Sequence, residues 1–432
     1  MTAERQAENT PDLQARVRPI LDRRLSRDID APLAVALSGG GDSLALLSLA
    51  VDWARTHGRR LLVLTVDHRV QADSARWTAF ARDAATRFGA DWRGLVWGDA
   101  KPSTGLQAAA RDARHALIAD AAREAGAGVV LFGHTRDDVR EAELMRAEGS
   151  TLGRVREWSP SPAWPQGRGV FLLRPLLDVS RAELRDHLRA RGLDWIEDPA
   201  NADLRYARSR ARTALRPGDD IDLPSDIDPA VTHAAQTATV DEAGVIGWPR
   251  TRDTPRAFLA AAVLCASGGT LPPRGDQLAR IAARLEAGES FTATLRGARI
   301  EAAADQVRVL RDAGETARGG LAPLALASGS SSIWDGRFEV EHASGGEIRA
   351  LKGLAAAIPR PQRQEIMRFS PHARPTLPVL IAAQGASPVL AAEAGRVRVL
   401  VGQRLRAACG LVAQEGEIAN LPRGADPIAS LC

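Results

Sequence analysis

Residues 33–54 read LAVALSGGGDSLALLSLAVDWA, and this stretch decides the fold. Five apolar residues, 33–37, run straight into Ser38-Gly39-Gly40-Gly41-Asp42-Ser43, and a helical apolar pattern begins at Leu44. A buried strand that stops in glycines before a helix N-terminus gathers backbone N–H groups at the positive end of the helix dipole. The result is an anion site that a phosphate can approach closely. Ser38 and Ser43 add hydroxyl donors. Asp42 would repel a bare phosphate, so its presence implies that Mg²⁺ travels with the anion. The run has no lysine for a Walker A loop and lacks the G-x-G-x-x-G spacing of the dinucleotide fingerprint.

Working outward, short apolar runs at 61–66, 95–97 and 129–132 read as further buried strands. Between them, 43–56, 74–87 and 106–125 carry helical periodicity, and a fourth helix is predicted from about Asp137 to Arg146. This alternation predicts an α/β fold with a parallel sheet covered by helices on both faces. Residues 157–169, EWSPSPAWPQGRG, read as an irregular surface loop. Ser180 is a good N-cap, and Glu183 completes a capping box for a helix ending at Gly192. The acidic, proline-bearing run at 217–229 marks a domain boundary. Three domains are therefore expected: residues 1–217, a mainly helical 230–316 with a β element at 291–312, and a small β-rich or α+β domain at 317–432.

Composition narrows the class. Lys101 and Lys352 are the only lysines among 57 basic residues, so anionic partners would meet planar, bidentate guanidinium groups. Three widely spaced cysteines form no disulfide framework and no Cys-x-x-Cys pair. The N-terminal 25 residues are charged throughout, and no window approaches the ~20 apolar residues of a membrane span. A cytoplasmic protein with no membrane partner is expected.

Several polar groups stand out beside the loop. His134, Asp137 and Asp138 are spaced i, i+3, i+4 and can share a face, or the two aspartates can simply compensate a helix dipole. A zinc site from the same triplet lacks its remaining ligands. Asp67 and His68 follow a strand end, where an adenine or ribose could be read. Arg111 and Arg114 lie one helical turn apart, facing either phosphates or solvent. Arg205, Arg208, Arg210, Arg212 and Arg216 form a stripe with no acid between Asp203 and Asp219, and Tyr206, the sole tyrosine, lies within it. Such a stripe suits a nucleic-acid backbone, with a base stacked on the ring.

The loop resembles the pyrophosphate-binding SGGxDS loop of the N-type ATP pyrophosphatases. VDHRVQADS (66–74), LQAAARDARHALI (106–118), GHTRDDVREAELMR (133–146) and EDPANADLRYARSRARTALRP (197–217) together resemble the tRNA(Ile)-lysidine synthase family. The resemblance is strong over about residues 30–217. It implies that ATP adenylates the wobble cytidine of CAU-anticodon tRNA(Ile) and that free L-lysine then displaces AMP. It implies Asp42, His134, Asp137, Asp138 and Glu141 as catalytic residues. Nucleotide would be held by Ser38, Gly39, Gly40, Gly41, Asp42, Ser43, Asp67 and His68, with Mg²⁺ on Asp42. The tRNA would meet Arg111, Arg114, Arg205, Arg208, Arg210 and Arg212. Val139, Ala142 and Arg69 depart from the family's Gln, Thr and Gly.

Two other readings compete. A tRNA thiolase of the same superfamily needs cysteines in its ATP domain, and residues 1–264 contain none. A tRNA-binding protein with a degenerate nucleotide site accounts for Val139 and Ala142 but not for an intact loop from Ser38 to Ser43. A homodimer stays open.

Overall fold

The computed structural model describes residues 12–70, 73–149, 153–197, 207–215, 227–251, 253–382 and 386–418. The chain divides into two compact units, one comprising Met1–Asp226 with Ala413–Ala419 and the other Ile227–Val412 with Asn420–Cys432.

The first unit alternates helix and strand: α1 (Leu13–Arg24), β1 (Leu33–Ala36), α2 (Gly41–Thr56), β2 (Leu61–Asp67), α3 (Ser74–Phe88), β3 (Asp91–Val96), α4 (Leu106–Glu124), β4 (Val129–Leu131), α5 (Arg136–Ala147), β5 (Trp158–Pro160), β6 (Phe171–Leu173), α6 (Arg181–Ala190) and α7 (Ala207–Ala214). The strands lie in the order β3-β2-β1-β4-β6-β5, all parallel except β5. Val35, Val63, Leu131 and Leu173 are fully buried, as a sheet covered on both faces requires. Ala34, Leu62, Leu64, Val130 and Leu172 pack with Ile118, Ala121 and Ala122 of α4 in one core.

The α/β expectation holds. The reading of residues 157–169 as irregular is corrected at its start: β5 pairs antiparallel with β6, and Trp158 is buried and stacked 5.0 Å from Phe171. Pro160 is tolerated there because β5 is the edge strand. Ser180 and Glu183 form the expected capping box on α6.

Order and direction place the site. The sheet grows one way from β1 through β2 and the other way through β4, so the loops leaving β1 and β4 part around a crevice at the strand C-termini. Such a topological switch point is where open α/β sheets bind ligands. Helix α2 is buried along nearly its whole length, and Ser48 Oγ lies 2.9 Å from His187 Nε2 of α6.

The second unit opens with α8 (Pro229–Thr237), β7 (Thr239–Val240), β8 (Ile246–Pro249), α9 (Arg256–Ser267), α10 (Asp276–Glu286), β9 (Phe291–Leu295), β10 (Ala298–Ala302) and β11 (Gln306–Arg311). These strands form an antiparallel sheet, β7-β8-β11-β10-β9, of which the sequence shows only the element at 291–312. Then follow β12 (Leu324–Leu326), β13 (Ser331–Trp334), β14 (Phe338–Glu341), β15 (Gly346–Ala350), α11 (Arg360–Ile366), β16 (Pro378–Ile381), β17 (Val389–Leu390), α12 (Ala391–Ala394), β18 (Arg396–Val399) and α13 (Val401–Ala408). They build sheets β12-β15-β16-β17 and β13-β14-β18. A last short helix, α14 (Glu415–Ile418), belongs to the first unit, where Glu415 accepts from both terminal nitrogens of buried Arg59 and from Ser26 N. No helix among the described residues is long and apolar enough to cross a membrane.

Candidate active site

The loop after β1 is shaped by its glycines and serines. Gly39 has φ +90°, a left-handed conformation that costs a side-chain-bearing residue energy, and Gly40 caps α2. Ser43 Oγ donates to Gly40 O at 2.9 Å and lies 3.1 Å from Ser38 Oγ, while Ser38 N donates to Ser43 Oγ at 3.3 Å. The chain from the other end of the unit closes over this turn. Ile196 N donates to Gly39 O at 3.0 Å, and Trp195 lies against Gly41, where a Cβ would meet its ring at 3.3 Å.

Across the crevice, the loop between β4 and α5 comes so close that a Cβ on Gly133 would stand 3.0 Å from the Asp42 carbonyl carbon. This contact brings the acidic segment to the nucleotide-type loop. Thr135 caps α5 in a capping box whose partner is Asp138: Asp138 Oδ2 accepts from Thr135 N (2.7 Å) and Oγ1 (2.9 Å). Capping α5 leaves Asp138 Oδ1 to make a further contact. His134 precedes the helix rather than sharing its face with the aspartates, because Thr135 is the cap.

Arg181, which sequence reasoning did not single out, organises the acids. Its Nε donates to Asp42 Oδ2 (3.2 Å), Nη1 to Glu141 Oε1 (2.6 Å) and Nη2 to Asp138 Oδ1 (2.5 Å), and its backbone N donates to Asp137 Oδ2 (2.9 Å). The charges of Asp138, Glu141 and Asp42 outweigh burial and raise its pKa. Burial pushes the Asp42 carboxyl above its ordinary range; Arg181 pulls the other way, and the Asp138 charge adds to the rise. A sequence signal existed in principle: the first helical residue after Ser180 sits where a helix start can face another helix start, but its partners lie 40 to 139 residues away.

The basic candidates divide. Arg212 does not stand free on the α7 surface, since its Nε donates to Glu141 Oε1 at 2.9 Å. Arg210 is exposed, Arg208 falls on α7, and Arg205, Tyr206 and Arg216 lie outside the described residues. Arg111 and Arg114 are on α4, where with Arg174 their charges add to burial in lowering the pKa of buried His115 to about 3. Arg174 is a second group the sequence did not reveal. It is buried, donates from Nε to His134 Nδ1 (3.2 Å) and from Nη1 to Arg156 O and Ser159 Oγ, and burial lowers its pKa to about 10. As an acceptor at Nδ1, His134 presents Nε2 as its N–H in the neutral form.

Asp67 Oδ1 accepts from Arg69 N at 2.8 Å, closing a turn in which Arg69 has φ +50°. The family's glycine at this position is thus explained by backbone conformation, which Arg adopts at a cost. His68 is half-buried with its ring edge-on to Trp97, and burial followed by the Arg114 charge lowers its pKa. Val139 is buried, so the apolar replacement of the family's Gln leaves no amide to satisfy.

Asp42 Oδ1 has no partner among the described residues, and no set of three or more His, Cys, Asp or Glu there is placed to enclose a metal. One carboxylate oxygen beside a phosphate-type loop fits Mg²⁺, which is commonly held by one or two carboxylates and substrate phosphates.

A parallel sheet with a glycine-rich anion loop at its switch point, facing carboxylates, defines an ATP-using domain of the PP-loop class, and the family model described as PP-loop domain matches residues 11–218. The tRNA(Ile)-lysidine synthase of Caulobacter vibrioides is 52% identical over 410 residues, covering 92% of this chain and 98% of that protein. The enzyme of the same name from Hyphomonas neptunium is 36% identical over 351 residues, covering 76% and 94%. The chain belongs to the tRNA(Ile)-lysidine synthase family.

Proposed function

We propose that the protein joins free L-lysine to carbon two of the wobble cytidine in CAU-anticodon tRNA(Ile), consuming ATP and releasing AMP and pyrophosphate. The carbonyl oxygen on carbon two of the cytosine attacks the α-phosphorus of ATP and pyrophosphate departs. The lysine ammonium gives up a proton to solvent, the free amine attacks carbon two, a C–N bond forms, the C–O bond breaks and AMP leaves. Adenylation is required because that carbonyl oxygen alone is a poor leaving group.

The observation that carries this reading is the meeting of the Ser38–Ser43 loop, with its Asp42, and the α5 carboxylates Asp137, Asp138 and Glu141 at one switch point. Loop amides and the α2 dipole stabilise charge developing on the departing pyrophosphate. Mg²⁺, when bound by Asp42 Oδ1 with the substrate phosphates, would supply further charge neutralisation. Asp137 Oδ1 has no partner among the described residues and is the carboxylate left to meet the lysine ammonium. His134, held by Arg174, offers its Nε2 N–H to a phosphate, and Asp67 and His68 line the strand end for the nucleoside. Arg111, Arg114, Arg208 and Arg210 meet the tRNA backbone, and residues 230–316 and 317–432 contribute to tRNA selection. A cytoplasmic setting follows from the substrate.

Incubating the protein with ATP, radiolabelled lysine and tRNA tests the reading: label enters CAU-anticodon tRNA(Ile) if it is right. An absence of label in any tRNA would overturn it and favour a tRNA-binding protein. Asp42→Ala abolishes ATP–pyrophosphate exchange while leaving tRNA binding nearly intact.

A further inference from the structure

We propose that Arg181 is a positioning residue for the lysine-joining reaction, fixing four carboxylates from two helix starts so that two are committed to the scaffold and two keep an oxygen for incoming cations. The assignment rests on the ligase reading above. Arg181 is the first residue of α6, its backbone set by the Ser180–Glu183 capping box and α6 itself tied to α2 through Ser48 and His187. From that anchor the guanidinium spreads three different nitrogens onto Asp42, Asp138 and Glu141, and the main-chain N–H takes Asp137.

The oxygens left over divide the labour. Asp138 has Oδ1 on Arg181 and Oδ2 on Thr135, and Glu141 Oε1 is shared by Arg181 and Arg212. Asp42 and Asp137 each have one oxygen on Arg181 and one without a partner among the described residues. Four carboxylates this close would repel one another without a central cation. A planar fork with five donors can bridge several of them at once, whereas a lysine ammonium is a point charge on a flexible stem. Arg181 therefore does more than neutralise: its guanidinium holds Asp42 by Oδ2 and its main-chain N–H holds Asp137 by Oδ2, so that each keeps its Oδ1 for a cation.

The test compares R181K and R181M with the wild type in lysidine formation with lysine varied, in equilibrium binding of radiolabelled lysine, and in thermal unfolding. R181M should lose about 100-fold in kcat, the scale of a lost positioning contact. Its KM for lysine and its lysine binding should be no weaker than wild type, because Asp137 keeps its main-chain bond to residue 181 and the carboxylates freed from the guanidinium still attract an ammonium. R181K should fold normally and recover part of kcat. Wild-type kcat in R181M, or in R181K should the Met variant fail to fold, overturns the assignment, as does a kcat loss that merely tracks the unfolded fraction. Lysidine made by the wild type separates these outcomes from failure of the ligase reading, which would remove both.

Discussion

Gly133→Ala probes the contact that joins the two halves of the site. The added methyl would lie 3.0 Å from the Asp42 carbonyl carbon and oxygen and 3.1 Å from Ser43 Cα. Carbon atoms in ordinary contact sit about 3.5–4.0 Å apart, so the shortfall is about 0.5 Å. All three neighbours are backbone atoms in the first turn of α2, whose remaining turns are buried, so the β4–α5 loop must yield instead. Overpacking of this kind costs about 1–3 kcal/mol. In a unit of this size each kcal/mol lowers Tm by about 2–4 °C. The loop carries His134 and the α5 aspartates with it. If a 1 Å error costs about 100-fold, half of that should lower kcat by about 10-fold. Urea denaturation and ATP–pyrophosphate exchange measure the two effects, with Gly98→Ala, where no atom lies within 4 Å of the new carbon, as control. A G133A protein matching wild type in both assays would refute the argument that this glycine exists to let the two loops touch.

Other outcomes follow from the same structure. Glu415→Ala leaves Arg59 buried without its carboxylate and should cost about 3–5 kcal/mol in urea denaturation; a loss under about 1 kcal/mol would show that the pair is not sealed from water. His115 stays neutral in the folded state down to about pH 3, while in the unfolded chain it titrates near 6.5. The unfolded state therefore binds the extra proton between those values, and stability falls as pH drops from 6.5 towards 3, by at most about 5 kcal/mol. His115→Gln should flatten that part of the stability–pH curve, and an unchanged slope would place the dependence elsewhere. Arg69→Gly relieves a left-handed backbone and should stabilise the protein by about 0.5–1 kcal/mol, since the Asp67-to-Arg69 N bond uses only the main chain; a destabilised variant would show that the Arg69 side chain matters more than its φ.

The strand, loop and helix of residues 33–54 were legible because each is a local pattern: an apolar run, a glycine turn, a 3.6-residue period. The Ser180–Glu183 box was legible for the same reason, as its partners are three residues apart. The α5 acids could be listed from sequence, but helix capping by Asp138 could not be separated from a contact across the crevice, and in the fold it caps α5 and also accepts from Arg181. Residues 157–169 were misread at Trp158 because a three-residue edge strand with a proline has too little pattern to register.

What the sequence alone determined is the doubly covered parallel sheet and the anion loop at its first strand end, since short-range periodicity and turn chemistry specify both. Only the tertiary structure decided that Arg181 gathers four carboxylates, that Arg174 orients His134, that Arg212 belongs to Glu141, and that Gly133 must be small. Each of those depends on side chains or backbones 40 to 139 residues apart, or on one loop passing over another. No local period records such distances; they arise when strand order brings the β1 and β4 loops to the same switch point.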